Sequence, residues 1–212
     1  MASATSNDES KQARIMLGIL DSVERDGSQS QRRMASDLGI ALGLVNAYLK
    51  RCVKKGLVKA NEAPARRYIY YLTPHGFAEK SRLTVEYLSY SFGFFRQAKE
   101  DCAVLFAEAY TRGLDRVALV GRSDLAEIAA ICALESGVKI IATVDESAEM
   151  GSFVGLPLVK SFDDLDRKPA AVVITDLLRP RETSEAAIAR FGEAQVLIPK
   201  LLRLRERREA RP

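Results

Sequence analysis

Five residues in the first quarter of this 212-residue chain are spaced to lie on one face of a helix. They are Leu42, Gly43, Asn46, Ala47 and Lys50, which recur at intervals of one and three positions. The amide of Asn46 can hydrogen-bond the major-groove edge of adenine, and Lys50 can bind a guanine or a phosphate. We therefore interpret these five residues as candidate contacts to double-stranded DNA.

A second group of polar residues surrounds Gly121, at the end of an apolar stretch that we predict to be a strand. Arg122, Ser123 and Asp124 follow where a helix begins, so that its first backbone amides could attract an anion. Asp145 ends the next apolar stretch, 24 residues after Gly121, where an acid can bind a ribose hydroxyl. These five residues predict a nucleotide-type ligand, although only one glycine of the G-x-G-x-x-G fingerprint is present. The alternative is a scaffold that binds no ligand.

Two helices and a hairpin are predicted to position the first group. Ser30 can cap a helix over residues 31–38, a glycine turn follows, and a second helix covers about residues 42–55. Strands at 57–60 and 67–72 flank a polar turn. The apolar residues predicted to hold these elements together are Met34, Leu38, Ile40, Val45, Leu49, Val53 and Leu57.

This order of elements is that of a winged helix-turn-helix, in which the second helix enters the major groove and the hairpin, or wing, reaches neighbouring backbone. At the start of the first helix, Ser30, Gln31 and Arg32 are placed to contact phosphates. Arg66 and Arg67 mark the wing. The alternative for this region is a helical protein-interaction module with a basic face.

Two stretches, SQRRMASDLGIALGLVNAYLKRCVKKGLV and YYLTPHGFAEKSRLTVEYL, resemble winged-helix regulators of the MarR type, especially the short ones associated with exopolysaccharide gene clusters. The resemblance covers about residues 9–105 and implies a DNA-binding domain over residues 9–82. Such proteins usually have Ser or Thr where Ala41 stands, and alanine cannot cap the helix that follows. Leu44 is also unusual for a DNA-facing position.

Residues 83–112 are predicted to form a connecting and dimerisation helix. Seven aromatic residues lie between positions 87 and 110, and a lone helix would leave their rings in water. The positions that follow a four-three spacing are Leu88, Phe92, Phe95, Lys99, Cys102, Phe106 and Ala109. The resemblance and the two-fold symmetry of operators favour a homodimer. The alternative is that the rings pack on the chain's own C-terminal domain.

Apolar stretches alternate with helical patterns over residues 113–200, which predicts an α/β domain with a small parallel sheet covered on both faces. The predicted fold class is an α+β winged helix-turn-helix domain followed by this α/β domain. The stretch from VGRSDLAEIAAICALESGVKIIATVDE to GLPLVKSFDDLDRKPAAVVITD resembles the Rossmann-like domain of some sugar acetyltransferases and polysaccharide-related dehydratases. The resemblance implies a nucleotide or a nucleotide sugar as the ligand.

Charge and composition limit what else the chain could be. Residues 30–82 have a net charge of +8 and residues 113–200 a net charge of −4, which indicates two modules with different partners. Three cysteines without metal-ligand spacing and a single histidine argue against a metal site, and no apolar run is long enough for a membrane span. The first eight residues are expected to form a disordered tail, and residues 201–212 a basic C-terminal helix or tail.

These patterns together predict a cytoplasmic transcriptional regulator that binds double-stranded DNA as a homodimer. Its Rossmann-like domain would sense a ligand or serve as a scaffold, and its targets would be polysaccharide genes. No convergent catalytic set is found, so an enzyme is not expected. Two alternatives are an NAD(H)-sensing redox repressor, which shares this architecture, and an enzyme-derived Rossmann protein with a DNA anchor.

Overall fold

The computed structural model describes residues 2–63, 67–202 and 204, with side chains from residue 11 onward except those of residues 63 and 67. The chain divides into two compact units, Met1–Phe92 and Gly93–Pro212. One helix, Pro74–Thr111, begins in the first unit and ends in the second. No helix in the described part of the chain is both long enough and apolar enough to cross a membrane.

The N-terminal unit consists of helices and one hairpin. Its elements are α1 (Ala2–Arg25), α2 (Gln31–Leu38), α3 (Leu42–Lys54), β1 (Val58–Ala63), β2 (Arg67–Leu72) and the first part of α4 (Pro74–Thr111). The order of α2, α3 and the hairpin is the predicted one. Helix α1 begins at Ala2, inside the segment that we expected to be a disordered tail. That segment contains no proline or glycine, so nothing in it interrupts a helix.

Local side-chain chemistry sets the ends of these helices. The Ser30 hydroxyl accepts a hydrogen bond from the Arg33 amide at 3.2 Å and caps α2 as predicted. Gly39 ends α2 with a φ of +61°, a left-handed conformation that suits glycine. The Thr73 hydroxyl accepts from the Gly76 amide at 3.0 Å and donates to the Gly56 carbonyl at 2.7 Å. This last pair of bonds joins the start of α4 to the turn that follows α3.

The core of the N-terminal unit lies between α1, α2, α3 and the hairpin. Of the predicted apolar set, Met34, Val45, Leu49 and Leu57 are buried, and Leu38 and Ile40 pack against the same core. Val53 was assigned to this core and is instead 41% exposed. At 100° per residue it lies on the flank of α3, outside the sector occupied by the buried residues.

The C-terminal unit alternates strands and helices. Its elements are β3 (Arg116–Val120), α5 (Asp124–Ser136), β4 (Lys139–Val144), β5 (Gly151–Phe153), β6 (Leu156–Val159), β7 (Ala171–Ile174), α6 (Pro180–Phe191) and β8 (Val196–Leu197). Short 3₁₀ turns occur at Phe162–Asp164, Glu193–Gln195 and Lys200–Leu202. Of the predicted basic tail over residues 201–212, the structure describes residues 201, 202 and 204.

These strands form one six-stranded sheet with the order β5-β6-β4-β3-β7-β8. The chain starts at β3, moves outward through β4 to β6, and then continues on the other side of β3 with β7 and β8. All the pairs are parallel except β5 with β6. The sheet is therefore mixed rather than wholly parallel as predicted, because the two-residue turn Val154–Gly155 can join only antiparallel neighbours.

Helices cover both faces of this sheet. On one face, α5 and the C-terminal part of α4 pack on alternate residues of β3 and β7, such as Leu119 and Val173. On the other face, α6 packs on Val120 and Ile174. Because helices cover both faces of the sheet, the side chains on both faces of β3 and β7 are buried. This is why the two strands are almost continuously apolar.

The positions with four-three spacing on α4, which we predicted to form the dimer contact, fall into a buried group and an exposed group. Cys102, Phe106 and Ala109 are fully buried in the core of the C-terminal unit, as the alternative interpretation of the aromatic helix proposed. Leu88, Phe92 and Phe95, earlier on the same helix, are exposed. Only the exposed group is therefore available to a second molecule.

Candidate nucleic-acid interface and anion site

One face of α3 carries all five residues predicted to contact base pairs. Val45, Tyr48, Leu49 and Cys52 are buried against the rest of the unit, which fixes the rotation of the helix about its axis. Leu42, Gly43, Asn46, Ala47 and Lys50 are consequently exposed. Among the described residues, neither the Asn46 nor the Lys50 side chain has a hydrogen-bond or ion-pair partner. Both polar groups can therefore bind a ligand without breaking an existing interaction.

A groove of about 540 Å³ separates α3 from the wing formed by β1 and β2. The residues that line it are Gln31, Asn46, Leu49, Lys50, Val53, Lys54, Ala60, Tyr68 and Tyr70. Six of these residues were not predicted to belong to a site, namely Leu49, Val53, Lys54, Ala60, Tyr68 and Tyr70. Whether these residues line the groove depends on how the hairpin folds back beside α3. The sequence pattern does not specify that placement.

The predicted phosphate contacts at the start of α2 differ in their surroundings. Arg32 is exposed, and Ser30 is engaged as the cap of α2. The Gln31 side-chain amide donates to the Tyr70 hydroxyl at 2.8 Å, so it links α2 to the wing. Arg66 lies outside the described residues, and Arg67 begins β2 without a described side chain.

The wing presents tyrosine rings as well as basic residues. Tyr68 and Tyr71 are about half exposed, and the rings of Tyr68 and Tyr70 are stacked with centroids 6.4 Å apart. The Tyr68 hydroxyl donates to Glu62 at 3.2 Å, and this hydrogen bond raises the pKa of Tyr68. Tyr68 therefore remains a neutral hydroxyl at the mouth of the groove.

The start of α3 has no side-chain cap. Ala41 occupies the N-cap position with extended backbone, and no side chain there accepts a hydrogen bond from the first turn. The first amides of a helix need partners outside the helix. The Leu44 amide donates to the Ala41 carbonyl at 2.9 Å, and water or a bound phosphate can satisfy the amides of Leu42 and Gly43 before it.

The second predicted group does come together at the carboxyl edge of the sheet. Gly121 directly follows β3 and has a φ of +98°, and Ser123 caps α5 by accepting from the Ala126 amide at 3.3 Å. Asp145 follows β4, and its carboxylate accepts from the Arg122 amide at 2.8 Å. Asp124 is the first residue of α5 and is exposed. The topology thus places these five residues at the point where the strand order reverses.

The Asp145 carboxylate accepts three hydrogen bonds from its own surroundings. One oxygen accepts from the Arg122 amide, and the other accepts from the amide and the hydroxyl of Ser147 at 2.9 and 2.6 Å. Burial raises the pKa of Asp145, but these hydrogen bonds outweigh it, and the net pKa lies below the ordinary value. The carboxylate therefore remains charged and bound to the turn.

The loop after β7 closes over the same turn. The Thr175 hydroxyl donates to the Gly121 carbonyl at 2.6 Å, and the Ser123 hydroxyl donates to the Thr175 carbonyl at 2.5 Å. A Cβ atom on Gly121 would lie 2.6 Å from the Asp176 backbone. Asp176 in turn accepts hydrogen bonds from the amides of Leu178 and Arg179 at 2.7 and 3.0 Å.

These contacts do not fit a nucleotide pyrophosphate at the Gly121 turn. The approach to Gly121 is occupied by the Asp176 backbone, and the Arg122 amide already has a carboxylate partner. A phosphate would also face the two negative charges of Asp145 and Asp176, whose net pKa values both lie below the ordinary value. Of the five residues predicted to bind a cofactor, Arg122 and Asp145 bond to each other, Gly121 and Ser123 bond to Thr175, and Asp124 is exposed.

The cysteines are structural in both units. Cys52 is buried and donates to the Met16 sulfur at 3.1 Å, and burial raises its pKa to about 11. Burial likewise raises the pKa of Cys102 to about 12 and that of Cys132 above its ordinary value. No group of His, Cys, Asp or Glu in the described part of the chain is arranged to hold a metal ion.

The match to a known protein family lies within the N-terminal unit. A family model of winged helix-turn-helix DNA-binding domains matches residues 13–59, from α1 to the start of β1. No curated protein matches the chain. Residues 13–59 are therefore identified as a winged helix-turn-helix DNA-binding domain, and they contain the second half of α1, all of α2 and α3, and the first residues of β1.

Proposed function

We propose that the chain is a transcriptional regulator that places α3 in the major groove of double-stranded DNA and its wing along the adjacent backbone. The observation that carries the proposal is the exposed face of α3, on which Asn46 and Lys50 have no partner in the described residues. The net charge of +8 on residues 30–82 supports contact with phosphates. The finer assignment to the MarR type rests on the sequence resemblance.

The first test measures DNA affinity of the full chain at several salt concentrations by fluorescence anisotropy. Lys50→Ala should weaken binding several-fold and reduce the salt slope by about one, because one phosphate contact or base contact is lost. The matched control is Lys139→Ala, which removes an exposed lysine from the C-terminal unit. Equal affinity and equal slope for both variants would contradict the proposal.

We also propose that the regulator is a homodimer joined through the exposed part of α4. Val85, Leu88 and Phe92 share one face of α4 and are each at least 45% exposed. Tyr87 and Tyr90 are at least 41% exposed on the other side of the helix. An apolar surface of this kind on a helix is typical of a protein interface. The two-fold symmetry of a dimer would match a repeated operator.

Sedimentation tests this dimer. Phe92→Glu should produce a monomer with weaker operator binding, because a charge enters the apolar contact and the two half-sites lose their link. Leu134→Glu is the matched control, since Leu134 is 86% exposed on α5. If Leu134→Glu gives the monomer and Phe92→Glu does not, the interface lies on the C-terminal unit and the proposal for α4 is wrong.

For the C-terminal unit we propose a Rossmann-like domain that serves as a scaffold. The strand order and the helices on both faces support the Rossmann-like assignment. The engaged carboxylates around Gly121 favour a scaffold over a nucleotide sensor, and they equally disfavour an NAD(H)-sensing repressor. Three statements stay predictions from the sequence. They are that the protein acts by binding rather than catalysis, that it is cytoplasmic and that it controls polysaccharide genes.

A further inference from the structure

The face of α3 that we propose to contact DNA is largely apolar. Leu42 is 45% exposed, and Gly43 and Ala47 are exposed beside it. Only Asn46 and Lys50 contribute polar groups among the five residues of this face. Phosphates offer such apolar side chains no favourable contact, whereas an apolar group on the DNA would shield them from water.

The major groove offers one such group. The 5-methyl of thymine is the apolar feature that distinguishes base edges there, and alanine and larger apolar side chains contact it. Asparagine pairs through two hydrogen bonds with N6 and N7 of adenine. An A·T-rich sequence therefore supplies both partners that this face of α3 lacks within the protein.

The spacing on the helix suits neighbouring base pairs. Leu42 and Asn46 are one turn apart, with Cβ atoms about 5–6 Å from each other in such a pair. Successive base pairs rise about 3.4 Å. Ala47 directly follows Asn46 on the exposed face. When Asn46 binds an adenine, Leu42 and Ala47 thus lie within about two base pairs of it.

We propose that this face recognises A·T base pairs by contact with thymine methyl groups, with Leu42 and Ala47 against the methyls and Asn46 on an adenine. The inference rests on the proposed function and adds the class of sequence that the regulator selects. Leu42 and Ala47 act as specificity-determining residues here, and Lys50 contributes affinity.

The experiment begins with selection of bound duplexes from a random-sequence DNA library by the full-length protein. Each thymine in the selected half-site is then replaced by deoxyuridine, which removes the methyl and leaves the base-pair hydrogen bonds unchanged. At one or more positions the affinity should fall roughly three- to tenfold, as expected for one methyl withdrawn from an apolar contact. Thymines outside the half-site should tolerate the exchange.

A protein variant assigns the effect to its side chain. Leu42→Ala should bind the thymine and deoxyuridine duplexes with nearly equal affinity at the position that Leu42 contacts. Leu134→Ala, an exposed leucine of α5, is the matched control and should retain the full difference. Retention of that difference by Leu42→Ala at every position would overturn the assignment of Leu42.

The outcomes distinguish a failure of this inference from a failure of the proposed function on which it rests. If selected sites bind well and every deoxyuridine exchange leaves affinity within twofold, the methyl contacts are absent and DNA binding stands. If no sequence is enriched and Lys50→Ala does not alter affinity, the proposed function itself fails. Enrichment of G·C-rich half-sites would overturn the inference alone.

Discussion

The exposed face of α3 and the carboxyl edge of the sheet are the two places where these folds usually bind ligands. On α3, Asn46 and Lys50 have no partner in the described residues, and the first turn lacks a cap. At the sheet edge, Asp145 accepts three hydrogen bonds from its own neighbours, and Asp176 lies against Gly121. One region has unused hydrogen-bonding capacity, and the other has used it internally.

Topology places polar residues where a ligand could bind, and the local hydrogen bonds decide whether those residues are available to it. Both regions carry the residue types and the spacing of a binding site in sequence. Unsatisfied groups at an exposed surface exchange water for a ligand at little cost. Groups already paired within the protein must first lose those pairs, so the sheet edge should contribute to stability and α3 to binding.

The largest expected effect comes from Gly121→Ala. The new Cβ would meet the Asp176 backbone at 2.6 Å in a conformation with φ near +98°, so unfolding in urea should show a loss of about 3 kcal/mol. Gly43→Ala is the control on α3, where a Cβ meets nothing within 4 Å. That variant should be as stable as the parent or slightly more so. Equal stability of the two variants would remove the contrast between the regions.

A smaller effect is expected from Asp145→Asn. The amide keeps one acceptor oxygen for Ser147 and loses the acceptor for Arg122, so the free energy of unfolding should fall by about 1 kcal/mol after allowance for solvent exposure. Asp166→Asn, at an exposed position, should change little. A DNA affinity lowered by Asp145→Asn at constant stability would show that the sheet edge is a functional site after all.

The same carboxylate should make stability depend on pH. Folding lowers the pKa of Asp145, so its contribution is complete above the unfolded value of about 3.9 and is lost as the pH falls through the lower folded value. Urea midpoints measured from pH 5 downward should therefore fall less steeply for Asp145→Asn than for the parent chain. Parallel curves would mean that Asp145 does not titrate with folding.

The smallest effect concerns Ala41→Ser. A serine hydroxyl at this position can accept from an amide in the first turn of α3, which should stabilise the N-terminal unit by about 0.5 kcal/mol. Thermal unfolding of the variant should shift upward slightly. No change, or a decrease, would indicate that the first turn of α3 already has a partner for its amides.

Much of the fold could be predicted from the chain alone, because periodicity and turn residues are local signals. The helices α2 and α3 follow from such signals, and so do the ends of α2 at Ser30 and Gly39 and the buried strands β3 and β7. Val53 was misplaced because it lies at the margin of the apolar stripe, where a small rotation decides exposure.

The binding properties were harder to predict, since they depend on contacts between distant segments. The hydrogen bond from Gln31 to Tyr70 spans 39 positions, and no local pattern announces it. The contact of Gly121 with the loop at Asp176 likewise joins separate strands. The sequence placed these residues at the sheet edge, but it could not show that Arg122 bonds to Asp145 or that Ser123 bonds to Thr175.

The buried cysteines give each unit its own chemical reporter. Cys52 lies in the core of the N-terminal unit, and Cys102 and Cys132 lie in that of the C-terminal unit. A thiol with a raised pKa reacts with an alkylating reagent only after its surroundings open. Labelling rates followed by mass spectrometry would thus time the opening of the two units separately in the native chain. Added DNA should slow the labelling of Cys52 alone, if binding stabilises only the unit that carries α3.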